Sequence, residues 1–418
     1  MAGMDHGSLA GLDDVPWAEL WHAYGLAVDV PDQLRAMQAG DWEGRYPPIA
    51  QLANHIVHQG TRYQAAVHTI PFLVRMALDA GQTHRDQIVG LLCSIAIGLE
   101  DDHLPSGYDP REDVSDRENL RSQADEWAQW IAEAPDADIR KQRQESCRQL
   151  LGQAEAAVRS YDAVKEALPS LAVLLRADSP ELRAETANLL AWFPESAPVT
   201  IPLLKAFIVD EVVPGAAATG LVALGLLGDP AVVSFLQGYL ESAVAELRWA
   251  AAFALTRFGM DEPAVVDVLL HAAACPPEKT RTMSFLSGSY LGLTTMALAD
   301  TSEATTPRGV GAVLTGLATC VGSQWSEDTH YTETSLIPRV FPGASAEDES
   351  PWPADPVEPR VAFEELNPAQ QQVLRYIADQ GKTWSNSGRH ALEHWTVPTS
   401  ADDLRAYIAA ASNPDGRV

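Results

Sequence analysis

A short apolar segment recurs four times in the chain, as Leu168-Pro-Ser-Leu-Ala-Val-Leu-Leu175, Ile201-Pro-Leu-Leu-Lys-Ala-Phe-Ile208, Val233-Ser-Phe-Leu-Gln-Gly-Tyr-Leu240 and Val265-Val-Asp-Val-Leu-Leu-His-Ala272. The copies begin 33, 32 and 32 residues apart. After each copy, a polar turn leads into a second predicted helix, which opens within residues 181–187, 214–220, 246–252 and 279–285. A two-helix repeat of this length is typical of a solenoid, whose units bury their apolar faces by stacking. We therefore expect equivalent buried positions at Leu171, Leu204, Leu236 and Val268.

The same helix–turn–helix design is visible upstream, in Asn54-His-Ile-Val-His-Gln-Gly-Thr-Arg-Tyr-Gln-Ala-Ala-Val-His-Thr-Ile-Pro-Phe-Leu-Val-Arg-Met-Ala-Leu78. Gly60 suits the left-handed position just past a helix end, and Thr61 with Gln64 forms a capping-box pattern for the next helix. Apolar residues then recur every three or four positions, which places them on one helix face. Pro71 is expected to kink this helix or to start a new one. No segment alternates with period two, so almost no sheet is expected.

One unit, Ala177-Asp-Ser-Pro-Glu-Leu-Arg-Ala-Glu-Thr-Ala-Asn-Leu-Leu190, resembles the HEAT repeat, whose turn carries an Asp and whose second helix opens with an apolar–Arg pair. Leu182-Arg183 and Leu247-Arg248 match that pair, Thr280-Arg281 matches only the Arg, and Pro214-Gly215 departs from it. Over about residues 15–410 the chain is similar to HEAT-repeat proteins of high-GC actinobacteria. The resemblance implies an all-α fold, a right-handed α-solenoid of HEAT-like helical pairs. It implies no particular function, because such repeats serve many roles.

Two interruptions divide the predicted array. Residues 100–118 carry eight acidic side chains and a Pro/Gly-containing loop, and Ser115 with Glu118 forms a capping-box pattern for an inserted pair of helices. Four prolines that lie among acidic residues within 343–365 mark a second interruption. The predicted segments are N-terminal HEAT-like repeats in 1–99, an acidic loop with inserted helices in 100–167, further HEAT-like repeats in 168–342, a Pro/acid-rich linker in 343–365, and a small helical C-terminal cap in 366–418.

The charge balance restricts the possible partners. Lys and Arg number 29 against 57 Asp and Glu, which leaves a formal net charge of -28 over 418 residues. So acidic a surface repels nucleic acid and anionic membranes and favours a basic protein or peptide. The uncharged stretch Met283–Ala299 is short for a membrane span. Four widely spaced cysteines and an N-terminus without a signal-peptide pattern predict a cytoplasmic protein.

Catalytic motifs are scarce. His390-Ala-Leu-Glu-His394 fits the H-x-x-E-H pattern of some zinc enzymes, but few residues follow it that could supply a third ligand. A chance match to this zinc-enzyme pattern is the better interpretation of these residues. We predict neither a cofactor nor a metal.

Several polar side chains are candidates for a binding site. His55 and His58 lie three residues apart, His68 lies on the next helix, and acidic residues downstream could approach them. The alternative for His58 is that it ends a helix, where the negative end of the helix dipole favours a partly positive imidazole. The full candidate set is His55, His58, Tyr63, His68, Asp101, Asp102, His103, Tyr108, Asp109, Asp113, Arg183, Arg248, Trp249 and Arg281.

The three arginines of that set open second helices of their repeats. A ladder of ion pairs along one edge is favoured for them over an anion-binding stripe. Trp249 is either an interface anchor or part of a solenoid core.

Two functions fit the sequence. The first is a non-catalytic binding scaffold that holds a protein or peptide partner, preferably a basic one, on its concave face, with the acidic segment as a lid or second contact. Neutralisation of a basic toxin by an immunity protein is one version of this role. The alternative is an enzyme or small-molecule-binding protein that uses a His/Asp-lined pocket in the solenoid.

Overall fold

A computed structural model describes residues 7–40, 42, 46–319, 327–343, 361–380 and 386–411. Helices dominate these residues, which confirms the all-α class. The α-helices are α1 Val30–Ala39, α2 Pro48–Ile56, α3 Gln64–Leu78, α4 Arg85–Ile97, α5 Pro110–Ser122, α6 Ala124–Ala132, α7 Ala137–Leu171, α8 Pro180–Leu190, α9 Ala197–Asp210, α10 Pro214–Leu226, α11 Val233–Gln237, α12 Ala245–Thr256, α13 Pro263–Ala274, α14 Tyr290–Ala299, α15 Pro307–Thr319, α16 Glu327–Val340, α17 Pro368–Gln380, α18 Asn386–His394 and α19 Ala401–Ala411.

Sheet is confined, in the described chain, to two hairpins with strands of two residues each. They pair β1 Trp21–His22 with β2 Gly25–Leu26, and β3 Val57–His58 with β4 Thr61–Arg62. The second hairpin corrects our prediction for this turn. Gly60 is left-handed as expected, at φ 81°, but it turns a hairpin together with Gln59 rather than ending a helix. Thr61 lies in β4 and caps nothing, since α3 begins after Tyr63.

The chain forms two compact units, Met1–Asp229 and Pro230–Val418. In the first unit the helices pack in two rows. In one row α2 packs on α4, α4 on α8 and α8 on α10; in the other α1 packs on α3 and α3 on α7. Contacts of α3 with α4 join the rows, and α9 packs against α10. This is the packing expected of stacked helical pairs, whose apolar faces are buried only between neighbours.

The second unit follows the same scheme. In one row α12 packs on α14, α14 on α16 and α16 on α18; in the other α13 packs on α15, α15 on α17 and α17 on α19. The C-terminal helices α17, α18 and α19 continue these rows. The division into the five segments predicted above stays a prediction.

The predicted repeat positions are largely buried. Leu171, Leu204 and Leu236 are fully enclosed. Val268 is half-buried, and its neighbour Leu269 is the enclosed residue, so the fourth copy is offset by one position.

Two repeat boundaries were predicted wrongly. Leu168 does not begin a helix, because α7 runs without a break through Leu171. Its buried residues Tyr161, Val164 and Leu168 are spaced by three and four, so they stay on one helix face. Lys279–Phe285 does not open a second helix either. The chain from Cys275 to Ser284 is irregular, and α14 begins at Tyr290.

The inserted helices begin earlier than predicted. Asp109 caps α5 by accepting a hydrogen bond from the backbone N–H of Arg111 at 3.0 Å, with Pro110 at the first helical position. Ser115 therefore lies inside the helix and caps nothing. Both α5 and α6 pack against α7.

Several further expectations concern single elements. The α3 helix continues through Pro71 instead of breaking there. Met283–Ala299 contains α14, whose residues are buried, and among the described residues no helix is both long and apolar enough to cross a membrane. Most of the predicted linker, residues 344–360, lies outside the described residues.

Candidate functional site

An apolar groove opens between α9 and the end of α7 with the segment that follows it. It encloses about 470 Å³. Side chains exposed to solvent line it, with 61% of Val173, 38% of Leu203 and 87% of Val212 accessible. Val199 and Val209 are also exposed on α9 but do not line the groove. No local sequence pattern marks this surface, because an exposed valine in an apolar helix looks the same as a buried one.

Arg183 and Glu211 form the polar part of the groove. The guanidinium of Arg183 donates to both carboxylate oxygens of Glu211, at 2.6 and 2.8 Å, and to the carbonyl oxygens of Ala177 and Asp178. The Glu211 side chain is 1% exposed. Burial raises the pKa of Glu211, but the Arg183 hydrogen bonds and the N–H of Val213 outweigh it, so the net pKa is lowered. Arg183 thus bridges two turns, as the ladder interpretation proposed.

The other two predicted arginines differ from Arg183. Arg248 donates to the carbonyl oxygen of Ser242 at 2.6 Å and so closes its own turn. Arg281 is exposed in the irregular segment and does not begin a helix. The three arginines therefore form no regular stripe. Trp249 is 1% exposed and donates to the hydroxyl of Thr294 at 2.7 Å, so it belongs to the core and cannot anchor a partner.

His55 and His58 meet at the exposed ring of Tyr24, which the sequence analysis did not single out. The Tyr24 ring centroid lies 5.2 Å from that of His55 and 5.4 Å from that of His58. Nδ1 of His58 lies 3.0 Å from Oδ1 of Asn54. The predicted spacing of three residues thus brings two imidazoles to one surface, although His58 lies in β3 rather than at a helix end.

The carboxylate beside His55 is Asp29, and not one of the downstream acids that could have approached it. Its Oδ1 lies 2.9 Å from Nε2 of His22, and its Oδ2 lies 3.0 Å from Nδ1 of His55. Among the described residues, His22, Asp29 and His55 form the one group of ligand-type side chains close enough to share a metal ion. Neither His22 nor Asp29 has a local signal, since the loop between β2 and α1 brings them to α2.

Burial lowers the pKa of His55, and His22 lowers it further, while Asp29 acts in the opposite direction. His68 lies in a different environment. Its ring meets the edge of Trp17 at 6.5 Å, and burial and the nearby Arg159 lower its pKa. Tyr63, which precedes α3, lines a small cavity with His22, and burial raises its pKa.

The acidic segment uses part of its charge internally. The Tyr108 hydroxyl donates to Asp113 at 2.5 Å, and Arg62 pairs with the same carboxylate. Burial and the Asp113 charge raise the pKa of Tyr108 far above its usual value. His103 packs edge-on against Tyr108 at 4.8 Å. Asp113 is therefore an ion-pair partner of Arg62 within the fold.

The remaining acids of the set are closer to the surface. Asp109 caps α5 and pairs with Arg111, and these hydrogen bonds lower the pKa of Asp109. Asp101 and Asp102 lie in a single helical turn, Glu100–His103, where Asp102 is exposed.

The H-x-x-E-H pattern in α18 places His390 Nδ1 3.4 Å from Glu393, and His394 is exposed. In the described chain this pattern gathers no third ligand.

Comparison with known proteins leaves the family open. No family model matches the chain, and no curated protein matches it in sequence. Among solved structures, the chain is similar to human deoxyhypusine hydroxylase in complex with glycerol. That likeness has 17% identity and a TM-score of 0.24, and it covers 73% of this chain and 98% of the other. So low a score carries no argument about function, and the all-α class rests on the chain's own helices.

Proposed function

We propose that this protein is a non-catalytic, HEAT-like repeat scaffold that binds a protein or peptide segment in the groove beside α9. The observation that carries the proposal is the exposure of Val173, Leu203 and Val212 along one groove. Singly exposed apolar residues are common, but several that line one concave surface mark an interaction site. A scaffold of stacked helices suits this role, because neighbouring repeats hold the groove walls in fixed positions.

The sizes of two cavities bear on the choice between a peptide and a small molecule. The groove encloses about 470 Å³, whereas the cavity beside His22 and Trp21 encloses about 140 Å³. Sites for drug-sized ligands usually measure about 300–1,000 Å³. The cavity beside His22 lies below this range, which argues against it as the ligand pocket of the enzyme alternative. The groove lies within the range, and its exposed apolar residues suit the side chains of a bound peptide.

Charge contributes to recognition in a secondary way. Arg176 and Asp210 both line the groove, so it carries charges of both signs. Apolar contact therefore selects the bound segment. The net charge of -28 acts at longer range and speeds the approach of a basic partner. Neutralisation of a basic toxin is one version of this proposal, and no feature of the groove is specific to it.

The test uses a photo-crosslinking amino acid at position 203, with the same amino acid at position 199 as the matched control. Both positions lie on α9, and only the first lines the groove. We expect a discrete crosslinked partner from position 203, identified by mass spectrometry, and none from position 199. Leu203→Arg and Val212→Asp should then weaken binding of that partner at least tenfold, and Val199→Arg and Val209→Asp should not. Equal effects in both sets would reject the groove.

A further inference from the structure

Three polar atoms near the N-terminus form a nearly equilateral triangle. Oδ2 of Asp29 lies 3.0 Å from Nδ1 of His55 and 3.0 Å from Nε2 of Gln33. The third edge, from Nε2 of Gln33 to Nδ1 of His55, measures 2.9 Å. The residues come from three elements, since Asp29 precedes α1, Gln33 lies in α1 and His55 lies in α2.

Hydrogen bonds alone cannot satisfy all three edges. The Asp29 carboxylate can only accept, so Nδ1 of His55 must carry a proton for that edge to be favourable. Two donors, His55 and Gln33, then face each other at 2.9 Å. If Nδ1 is unprotonated instead, its lone pair faces the carboxylate. One edge is repulsive in either case. In addition, Oε1 of Gln33 has no hydrogen-bond partner, although this residue is only 9% exposed.

We propose that this triangle binds a divalent first-row transition-metal ion, with Nδ1 of His55, Oδ2 of Asp29 and the carboxamide oxygen of Gln33 as ligands. A half-turn of the Gln33 carboxamide places its oxygen at the third corner, where the nitrogen now lies. All three lone pairs then face the cation, and no edge is repulsive. In the same rearrangement the orphaned oxygen becomes a ligand, and the amide nitrogen takes the place that the oxygen leaves.

The dimensions of the triangle fit such an ion. Ligand atoms about 3 Å apart, each bonded at about 2.0–2.2 Å, subtend about 90° at the metal, which matches one face of an octahedron. The other positions are available to water or to a ligand atom, because the side chains of Asp29 and His55 are 42% and 23% exposed.

His22 supports the site rather than binding the metal. The backbone N–H of Tyr24 donates to Nδ1 of His22 at 3.0 Å, so the ring proton must lie on Nε2. That proton is directed to Oδ1 of Asp29 at 2.9 Å. A metal ligand needs a lone pair on its binding nitrogen, which Nε2 of His22 lacks. His22 therefore orients the carboxylate from behind, as outer-shell partners do in known metal sites.

The ligand chemistry narrows the choice of ion. One imidazole, one carboxylate and one carbonyl oxygen suit the series from Mn²⁺ to Zn²⁺, whereas Mg²⁺ and Ca²⁺ prefer oxygen ligands throughout.

The experiment titrates the chelator-treated full-length protein with Co²⁺ and with Zn²⁺ by calorimetry, and follows Co²⁺ by its visible absorption. We expect one site per chain, and a melting temperature that rises with either ion. Asp29→Asn and His55→Ala should each weaken binding at least tenfold. His22→Asn should weaken it about 10–100-fold, the usual effect of losing an outer-shell partner. His58→Ala is the matched control, because His58 lies beside Tyr24 but outside the triangle.

Gln33→Glu distinguishes a metal site from a structural network. Without metal, a second carboxylate beside Asp29 should lower the melting temperature. With Co²⁺ or Zn²⁺, the added charge should tighten binding and restore the melting temperature, whereas Gln33→Leu should weaken binding. If Gln33→Glu binds no more tightly than the parent protein, Gln33 is not a ligand. An effect of His58→Ala equal to that of His55→Ala, or the absence of one-to-one binding, would show adventitious binding to surface imidazoles and overturn the proposal.

Discussion

Helices α5 and α10 share a length of 13 residues and a proline at the first helical position, yet their environments are opposite. No residue of α5 is buried, whereas every residue of α10 from Gly215 to Leu226 is. Helix α10 packs between α8 and α9, and α5 lies against α7 and α6. The start signals of a helix are thus local, but the stability that it contributes depends on the neighbours that enclose it.

The same contrast extends to the charged groups. In the repeats, Arg183 and Glu211 are paired where water is largely excluded. In the insertion, Arg121 pairs with Glu118 and Glu155 at the surface, where solvent screens the attraction. The repeats and the insertion should therefore respond differently to matched substitutions.

The largest difference is expected for the arginines. Arg183→Met leaves the buried Glu211 carboxylate without its ion-pair partner, which should lower the free energy of unfolding by about 3–5 kcal/mol. Arg121→Met should leave the denaturation midpoint unchanged. Urea unfolding followed by circular dichroism measures both. The double variant Arg183→Met with Glu211→Leu should recover most of the loss, and a double variant as unstable as the single one would contradict the buried-charge explanation.

A smaller difference is expected for added volume. A Cβ atom at Gly220 of α10 would lie 2.7 Å from Cγ1 of Ile208 and 3.2 Å from the Phe207 ring. Gly220→Leu should therefore destabilise the protein by about 1–3 kcal/mol through overpacking. Asp116→Leu, on the exposed face of α5, should change stability by less than about 0.5 kcal/mol. Similar losses from both substitutions would show that α5 is covered in solution.

The smallest difference is expected in how stability changes at low pH. The folded-state pKa of Glu211 is lowered, so its contribution is complete above the unfolded value of about 4.3 and is lost as pH falls through the folded pKa. Asp109 also has a lowered pKa, but it lies at the surface end of α5. Unfolding free energies measured from about pH 6 down to pH 3 should depend less steeply on pH in Glu211→Gln than in the parent. Asp109→Asn should flatten the curve much less than Glu211→Gln does, because solvent screens the exposed pair of Asp109 with Arg111, and an equal flattening would contradict this contrast.

The sequence predicted elements well where local signals and burial agree. Ser179 caps α8 by accepting from the N–H of Leu182, and Pro214 opens α10 as expected. Predictions failed where a distant contact decides the structure. Leu168-Pro169 has the pattern of a helix start, but the buried face of α7 continues through it. Thr61 has the pattern of a cap, but β4 pairs with β3 instead.

The histidine site shows the same limit. The spacing of His55 and His58 pointed to one of its residues, His55, because that spacing is local. Asp29, Gln33 and His22 meet His55 only after hairpin β1–β2 and helices α1 and α2 have packed together, and no residue pattern near these three marks them. The exposed groove was missed for a related reason, since burial of an apolar residue depends on the neighbouring helix and not on its own.

The unbroken α7 helix has a consequence for how this chain can change length during evolution. Its first half carries the inserted helices and its second half supplies a wall of the repeat array, so both halves share one helical phase. At about 3.6 residues per turn, a deletion or insertion of about 7, 11 or 18 residues returns Tyr161, Val164 and Leu168 to the face that they now occupy. Other lengths rotate that apolar face into water. Natural relatives with shorter or longer insertions are therefore expected to differ within this helix by nearly whole numbers of turns.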